Sequence, residues 1–150
     1  MGISLGGLRH QGLEREAPAR PDELAGLRTA VWRYALELGA SPEVGQAVRL
    51  AVGEALTNIV MHAYVGRDVG AMSVQAWLDE DEHMCVGVLD EGHGLIPRTD
   101  SPGLGLGMGL MAQMANDLRI ANREGRPGTS VLLRFALDRS ESLRGCGSAV

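Results

Sequence analysis

The stretch AVGEALTNIVMHAY, residues 51–64, decides the fold, because it is apolar enough for a buried helix yet carries Glu54, Asn58 and His62 at every fourth position. At about 100° per residue, these three side chains share one narrow stripe of a helix. The opposite side carries an apolar stripe: Val48, Val52, Leu56, Ile59 and Ala63. The pattern predicts an amphipathic helix whose polar stripe faces away from the main core.

The polar stripe has two interpretations. A solvated helix face is the ordinary one, but such a face usually carries long charged side chains, whereas this stripe is short and chemically mixed. Glutamate can act as a general base. Asparagine offers a neutral oxygen of the kind that Mg²⁺ accepts. Glu54 is therefore a candidate base and Asn58 a candidate magnesium ligand.

Length and composition favour a single domain of an ordinary kind. The chain has 150 residues, enough for a real core, and a net charge of −5 with arginine as its only basic residue besides histidine. No basic run with interleaved aromatics occurs, so direct binding of nucleic acid is not expected. Two cysteines build no disulfide framework. Since neither a membrane span nor a signal-peptide core is evident, the sequence predicts a cytoplasmic protein.

The order of the periodic segments predicts the fold class. A weakly alternating segment, GLEREAPA, precedes two helices, of which the first ends at Gly39 and the second begins after Ser41 and ends near Gly66. Alternation predicts four later strands: MSVQAWLDE, MCVGVLDE, LRIAN and TSVLLRFAL. A helix is predicted between the second and the third of them, from about Met108 to Asp117. This order favours an α+β two-layer sandwich, with helices on one face of a mostly antiparallel sheet. The domain is expected at 13–138, between flexible tails at 1–12 and 139–150.

Two glycine-containing segments are candidate ligand sites. In VLDEGHG, residues 88–94, an apolar strand ends in Asp90, and Gly92 and Gly94 follow. This is either a plain turn or a site where Asp90 accepts a hydrogen bond from a flat ligand that the glycines let approach. In SPGLGLGMGL, residues 101–110, alternate positions are glycine just before a helix. These glycines mark either a mobile lid or a loop whose N–H groups bind phosphate.

In this order, the segments resemble the nucleotide site of the GHKL ATPase superfamily, which includes gyrase, histidine kinases and MutL. GEALTNIVMHAY resembles its N box, LDEGHG its G1 box and GLGLGMGL its G2 box, and Thr129 matches a threonine that opens a late strand. The pattern ExxxNxxxHAY is typical of the small bacterial anti-sigma factors that act as serine/threonine-protein kinases. The likeness covers roughly residues 13–137 and implies the Bergerat ATP-binding fold.

The resemblance implies a role for each matching residue. Glu54 would be the general base and Asn58 the ligand of a Mg²⁺ ion that bridges the ATP phosphates. Asp90 would bind the adenine amino group, and His62 would pack against the site. Further nucleotide contacts would come from the adenine pocket (Gly92 and Gly94), its rim (Thr129) and the phosphate lid (Gly103, Gly105 and Gly107).

The resemblance also implies a function: an ATP-dependent anti-sigma factor that binds a sigma factor and phosphorylates a serine or threonine of an antagonist protein. A homodimer is the usual state of these kinases. Two departures from the family are notable. Asn116 stands where these kinases commonly have an acid, and without lysine the γ-phosphate charge would be offset by Mg²⁺, backbone amides and Arg98. Two alternatives stay open: a nucleotide-binding partner-switch module with little turnover, and a small ATPase subunit of a signalling complex.

Overall fold

The structure is a computed structural model that describes residues 12–94 and 109–138. The predicted tails lie outside these residues except for Gly12, so the domain boundaries stay a prediction. The described elements follow the predicted order: β1 (Leu13–Pro18), α1 (Leu24–Glu37), α2 (Pro42–Asn58), β2 (Ala71–Leu78), β3 (His83–Asp90), α3 (109–114), β4 (Asp117–Asn122) and β5 (Thr129–Ala136).

The strands form one five-stranded sheet in the order β1-β2-β3-β5-β4. Every neighbouring pair is antiparallel. Since α1 contacts β1 and β2 while α2 contacts β3 and β5, both long helices cover the same face of the sheet. The α+β two-layer sandwich with an antiparallel sheet is confirmed.

The second helix begins as its sequence predicts. The Ser41 side chain accepts a hydrogen bond from the N–H of Val44 at 3.2 Å, and Pro42 occupies the first turn, where its missing N–H costs nothing. The predicted apolar stripe packs into the core, where Val48, Val52 and Leu56 have no exposed surface. The helix therefore holds its polar stripe at a fixed angle to the sheet.

The end of this helix differs from the prediction. The α-helical part stops at Asn58, and Ile59–Ala63 form a π-helical turn before Tyr64 and a left-handed Gly66 (φ 77°). A π turn has i→i+5 hydrogen bonds where an α-helix has i→i+4 bonds, and such turns are frequent at functional sites. Periodicity over so few residues cannot separate a π turn from an α turn, so the prediction of one helix to Gly66 was wrong in detail.

The third helix ends at residue 114, earlier than predicted, because Asn116 joins the sheet instead. Its N–H donates to the carbonyl of Arg134 at 2.8 Å, and its side-chain oxygen accepts from the N–H of Ala136 at 2.7 Å. The residue that departs from the family pattern thus continues the β4–β5 pairing. Within residues 12–94 and 109–138, no helix has both the length and the apolar character that crossing a bilayer requires.

A tyrosine of α1 allows a test of the core. The Tyr34 side chain is 7% exposed, and its hydroxyl has no hydrogen-bond partner in the described part of the chain. Because Tyr34→Phe removes an unpaired buried polar group, we expect the free energy of unfolding to stay unchanged or to rise by up to about 1 kcal/mol. Urea denaturation of the two proteins measures the difference. A loss of about 1 kcal/mol or more would show that the hydroxyl is bonded in solution.

Candidate functional site

The polar stripe of α2 places Glu54 and Asn58 one helical turn apart. Both side chains are half-buried, and Asn58 is the last α-helical residue before the π turn. Residues four apart on a helix have Cβ atoms about 6 Å from each other. His62, the third member of the stripe, lies in the π turn and is exposed, and its packing against the site stays a prediction.

A groove of about 320 Å³ lies along the outer side of α1 and α2 and includes Glu54. Its lining residues all belong to these two helices: Arg28, Gln46, Arg49, Leu50, Gly53, Glu54 and Thr57. The Arg28 side chain crosses α2 at Gly53, where a Cβ would lie 3.1 Å from the Arg28 Cδ. The Arg28 Nε is buried without a hydrogen-bond partner among the described residues. Glu54 is thus reached through a groove that carries two arginines.

Asp90 is a buried carboxylate at the end of the central strand β3, with only 5% of its surface exposed. Its Oδ1 accepts two backbone hydrogen bonds, from the N–H of Gly92 at 2.8 Å and from that of Thr129 at 3.3 Å. Burial raises the pKa of the Asp90 carboxyl above its ordinary value, while these two hydrogen bonds and the nearby Arg123 oppose the rise. The two backbone hydrogen bonds therefore fix the orientation of this deeply buried carboxylate.

Gly92 is required by the protein's own backbone. A Cβ at this position would overlap the carbonyl group of Ala63 in the π turn. The N–H of His93 donates to that same carbonyl oxygen at 3.0 Å, and the His93 Nε2 lies 2.8 Å from the carbonyl oxygen of Val65. The structure shows that the glycine lets the loop after β3 lie against the end of the long helix, while its predicted role in letting a ligand approach stays a prediction.

Gly94 and Gly128 bring the β4–β5 turn against this loop. Gly94 has a left-handed backbone (φ 76°), and a Cβ there would lie 2.8 Å from the Asn122 Oδ1. Gly128 also has a positive φ of 116°, and a Cβ on it would overlap the carbonyl group of Asp90. No local sequence pattern predicts this contact, because the two segments are far apart along the chain.

Two further side chains make contacts at this place that the sequence did not indicate. The Tyr64 hydroxyl donates to the carbonyl of Ala71 and accepts from the N–H of Glu91 at 2.9 Å. The guanidinium of Arg123 donates to the backbone carbonyl of Asp90 at 3.2 Å. Position alone gave a weak signal for Tyr64, since it follows directly on the polar stripe.

The described residues thus bring Asp90, Gly92 and Thr129 into direct contact, and the loop after β3 contacts the π turn that continues the helix of Glu54 and Asn58. The predicted phosphate-binding glycines Gly103, Gly105 and Gly107 lie outside the described residues, as does Arg98. Their roles, and those of the other site residues toward a ligand, stay predictions.

The donor groups fit the expected ligands. Within the described ranges, no group of three or more His, Cys, Asp or Glu side chains has the arrangement of a metal site. Mg²⁺ requires no such group when it is held by one or two protein oxygens together with nucleotide phosphates and water. The amide oxygen of Asn58, half-buried at the end of α2, suits that role.

Comparison with known proteins agrees with this geometry. Residues 17–135 match the family described as histidine kinase-like ATPase domain. The chain is 27% identical over 138 residues to the anti-sigma F factor of Clostridium acetobutylicum, covering 83% of this chain and 94% of that protein. It is 30% identical over 128 residues to the serine-protein kinase RsbW of Bacillus subtilis, covering 75% of this chain and 79% of that one.

A solved structure supports the fold. A crystal structure of RsbU and RsbW domains from Mycobacterium tuberculosis superimposes with a TM-score of 0.66 at 21% sequence identity, covering 85% of this chain and 33% of that one. The chain thus spans about a third of that longer protein. Since the family match extends over most of the sequence and the fold agrees with it, this chain belongs to the histidine kinase-like ATPase domain family.

Proposed function

We propose that this protein is an anti-sigma factor with serine/threonine-protein kinase activity, which binds a sigma factor and transfers the γ-phosphoryl group of ATP to an antagonist protein. The observation that carries the proposal is the buried Asp90, whose Oδ1 is fixed by two backbone N–H groups. The loop that follows it contacts the end of the helix that carries Glu54 and Asn58. Similarity to an anti-sigma F factor and to a serine-protein kinase supports the partners and the reaction.

The base of the nucleotide is recognised at Asp90 in this proposal. Backbone N–H groups hold Oδ1, so Oδ2 is the oxygen that we assign to the amino group of adenine. A hydrogen bond from a buried, oriented carboxylate discriminates strongly, because a base without the amino group leaves that carboxylate unpaired. Gly92 and Gly94 shape the adjoining backbone, and Thr129 supports the rim through its N–H.

The phosphates then lie toward α2. Asn58 supplies an amide oxygen to Mg²⁺, and the proposed lid of Gly103, Gly105 and Gly107 supplies backbone N–H groups. The ion, when bound, offsets the charge of the phosphates and helps to align them for transfer. The protein contributes position, because Asn58 is held at one end of a helix whose other side is buried in the core.

Glu54 is the proposed base. In the reaction, the oxygen of the acceptor hydroxyl forms a bond to the γ-phosphorus, the bond to ADP breaks, and the proton passes to the Glu54 carboxylate. A protein hydroxyl can reach Glu54 through the groove between α1 and α2, where Arg28 and Arg49 offer positive charge to an acidic partner segment. This access favours transfer to a protein over hydrolysis in a closed pocket.

Removal of the proposed base tests the kinase reaction. Glu54→Gln keeps the size of the side chain and removes its basicity, so transfer of ³²P from [γ-³²P]ATP to an antagonist protein should fall by about 10²- to 10⁴-fold. ATP affinity should stay near that of the wild type. Gln46→Ala, in the same groove and two turns away, is the control and should retain transfer. Equal labelling by Glu54→Gln and wild type would contradict the role of Glu54.

The same assay separates the alternative functions. A wild-type protein that binds the antagonist tightly without labelling it would support a partner-switch module without turnover. Release of free phosphate without label on any partner would support a small ATPase.

Asn58→Ala tests the magnesium ligand. We expect the Mg²⁺-dependent part of ATP affinity to fall by about tenfold, because one oxygen ligand to a charged group is lost. The fold should persist, since the side chain lies off the core. Thr57→Ala is a matched control: Thr57 is exposed on the same turn, and its hydroxyl donates to the carbonyl of Gly53 in its own helix. Calorimetric titration that shows equal affinities for Asn58→Ala and wild type would argue against the assignment.

Asp90→Asn tests base recognition. Asparagine retains an oxygen for the two backbone N–H groups, but its amide cannot reproduce the paired acceptor oxygens of a carboxylate. Binding of ATP should weaken by about tenfold or more, while binding of inorganic tripolyphosphate should change little. Equal losses for the two ligands would place Asp90 away from the base.

A further inference from the structure

Tyr64 occupies a buried position between two segments of the proposed nucleotide site. It follows the π turn, and only 9% of its surface is exposed. Its hydroxyl donates to the carbonyl of Ala71, at the start of β2, and accepts from the N–H of Glu91, directly after Asp90. Burial raises the pKa of the Tyr64 phenol, so the hydroxyl stays protonated and keeps its donor at neutral pH.

The ring of Tyr64 is as constrained as its hydroxyl. It lies against the backbone of Gly70, where a Cβ would overlap the ring. The neighbouring residue Ala63 constrains the same loop. Its carbonyl accepts a hydrogen bond from the N–H of His93 and leaves no room for a side chain at Gly92. Residues 63 and 64 therefore hold the loop 91–93 from both of its ends.

We infer that Tyr64 is a positioning residue for base recognition, which sets the orientation of Asp90 by holding the N–H of Glu91 through its hydroxyl. This inference rests on the proposed function, since it assumes that Asp90 binds the base. Tyr64 itself does not contact the nucleotide in this account. It acts because Asp90 and Glu91 share a peptide bond, so a shift of Glu91 turns the Asp90 carboxylate.

The arrangement also links the two halves of the site. Tyr64 ends the segment that begins with Asn58, six residues earlier, and it bonds to the residue after Asp90. One hydrogen bond and one backbone contact therefore join the end of α2 to the loop after Asp90. A buried tyrosine usually pairs its hydroxyl; here one of the two partners is the backbone N–H of the residue after Asp90.

The test is the ratio of ATP affinity to tripolyphosphate affinity in Tyr64→Phe, measured by calorimetry with Mg²⁺ present. The ring is kept and the hydrogen bond is lost, so the ratio should fall by about tenfold, with tripolyphosphate binding near that of the wild type. Tyr34→Phe is the matched control, because it makes the same change at a buried tyrosine whose hydroxyl has no partner among the described residues. It should leave the ratio unchanged.

A double variant shows whether Tyr64 acts through Asp90. If it does, the double variant Tyr64→Phe/Asp90→Asn should bind ATP about as well as Asp90→Asn alone. The reason is that the effects of substitutions on affinity do not add when the residues belong to one network. A merely structural role would lower the affinities for ATP and tripolyphosphate together and would add to the effect of Asp90→Asn.

The outcomes separate this inference from the proposed function. A wild-type protein that binds ATP no better than tripolyphosphate would overturn both. A wild-type protein that discriminates, together with a Tyr64→Phe variant that discriminates equally well, would overturn the role of Tyr64 alone. Additive losses in the double variant would also overturn it.

Discussion

The approach of Gly92 to the carbonyl of Ala63 is the contact on which the rest of the site depends. It lets the loop after the central strand lie against the π turn at the end of the long helix. A side chain of any other residue would push the two segments apart. The loop that follows Asp90 and the π turn that follows Asn58 would then lose their direct contact. The hydrogen bonds from His93 to Ala63 and from Glu91 to Tyr64 secure the same junction.

Around this junction, the protein orients its buried charge with backbone groups. Asp90 loses solvation by burial, which by itself favours the neutral carboxyl. Two N–H groups on Oδ1 and an arginine on the backbone carbonyl offset part of that cost and remove rotational freedom. An oriented carboxylate is a selective acceptor, because an ill-fitting partner leaves it unsatisfied. The same physics makes the site sensitive to small shifts of the loop that carries it.

Much of this architecture follows from local sequence patterns. The apolar stripe of α2, its Ser41 cap and the alternating strands predicted the order of elements and the two-layer fold. The candidate residues Asp90, Gly92 and Thr129 meet as the motif order suggested. The π turn was not predictable, because its hydrogen bonds are only one residue longer than those of an α-helix and five residues are too few to show the difference. The roles of Tyr64 and Gly128 depend on contacts with residues 27 and 38 positions away along the chain, which no local pattern encodes.

A structure of the protein with Mg²⁺ and a non-hydrolysable ATP analogue tests the central claim most directly. The account predicts that the adenine amino group lies within hydrogen-bonding distance of the Asp90 carboxylate, with Asn58 as an oxygen ligand of the metal ion and the γ-phosphate toward Glu54. A nucleotide bound elsewhere, or bound with its base away from Asp90, would contradict it.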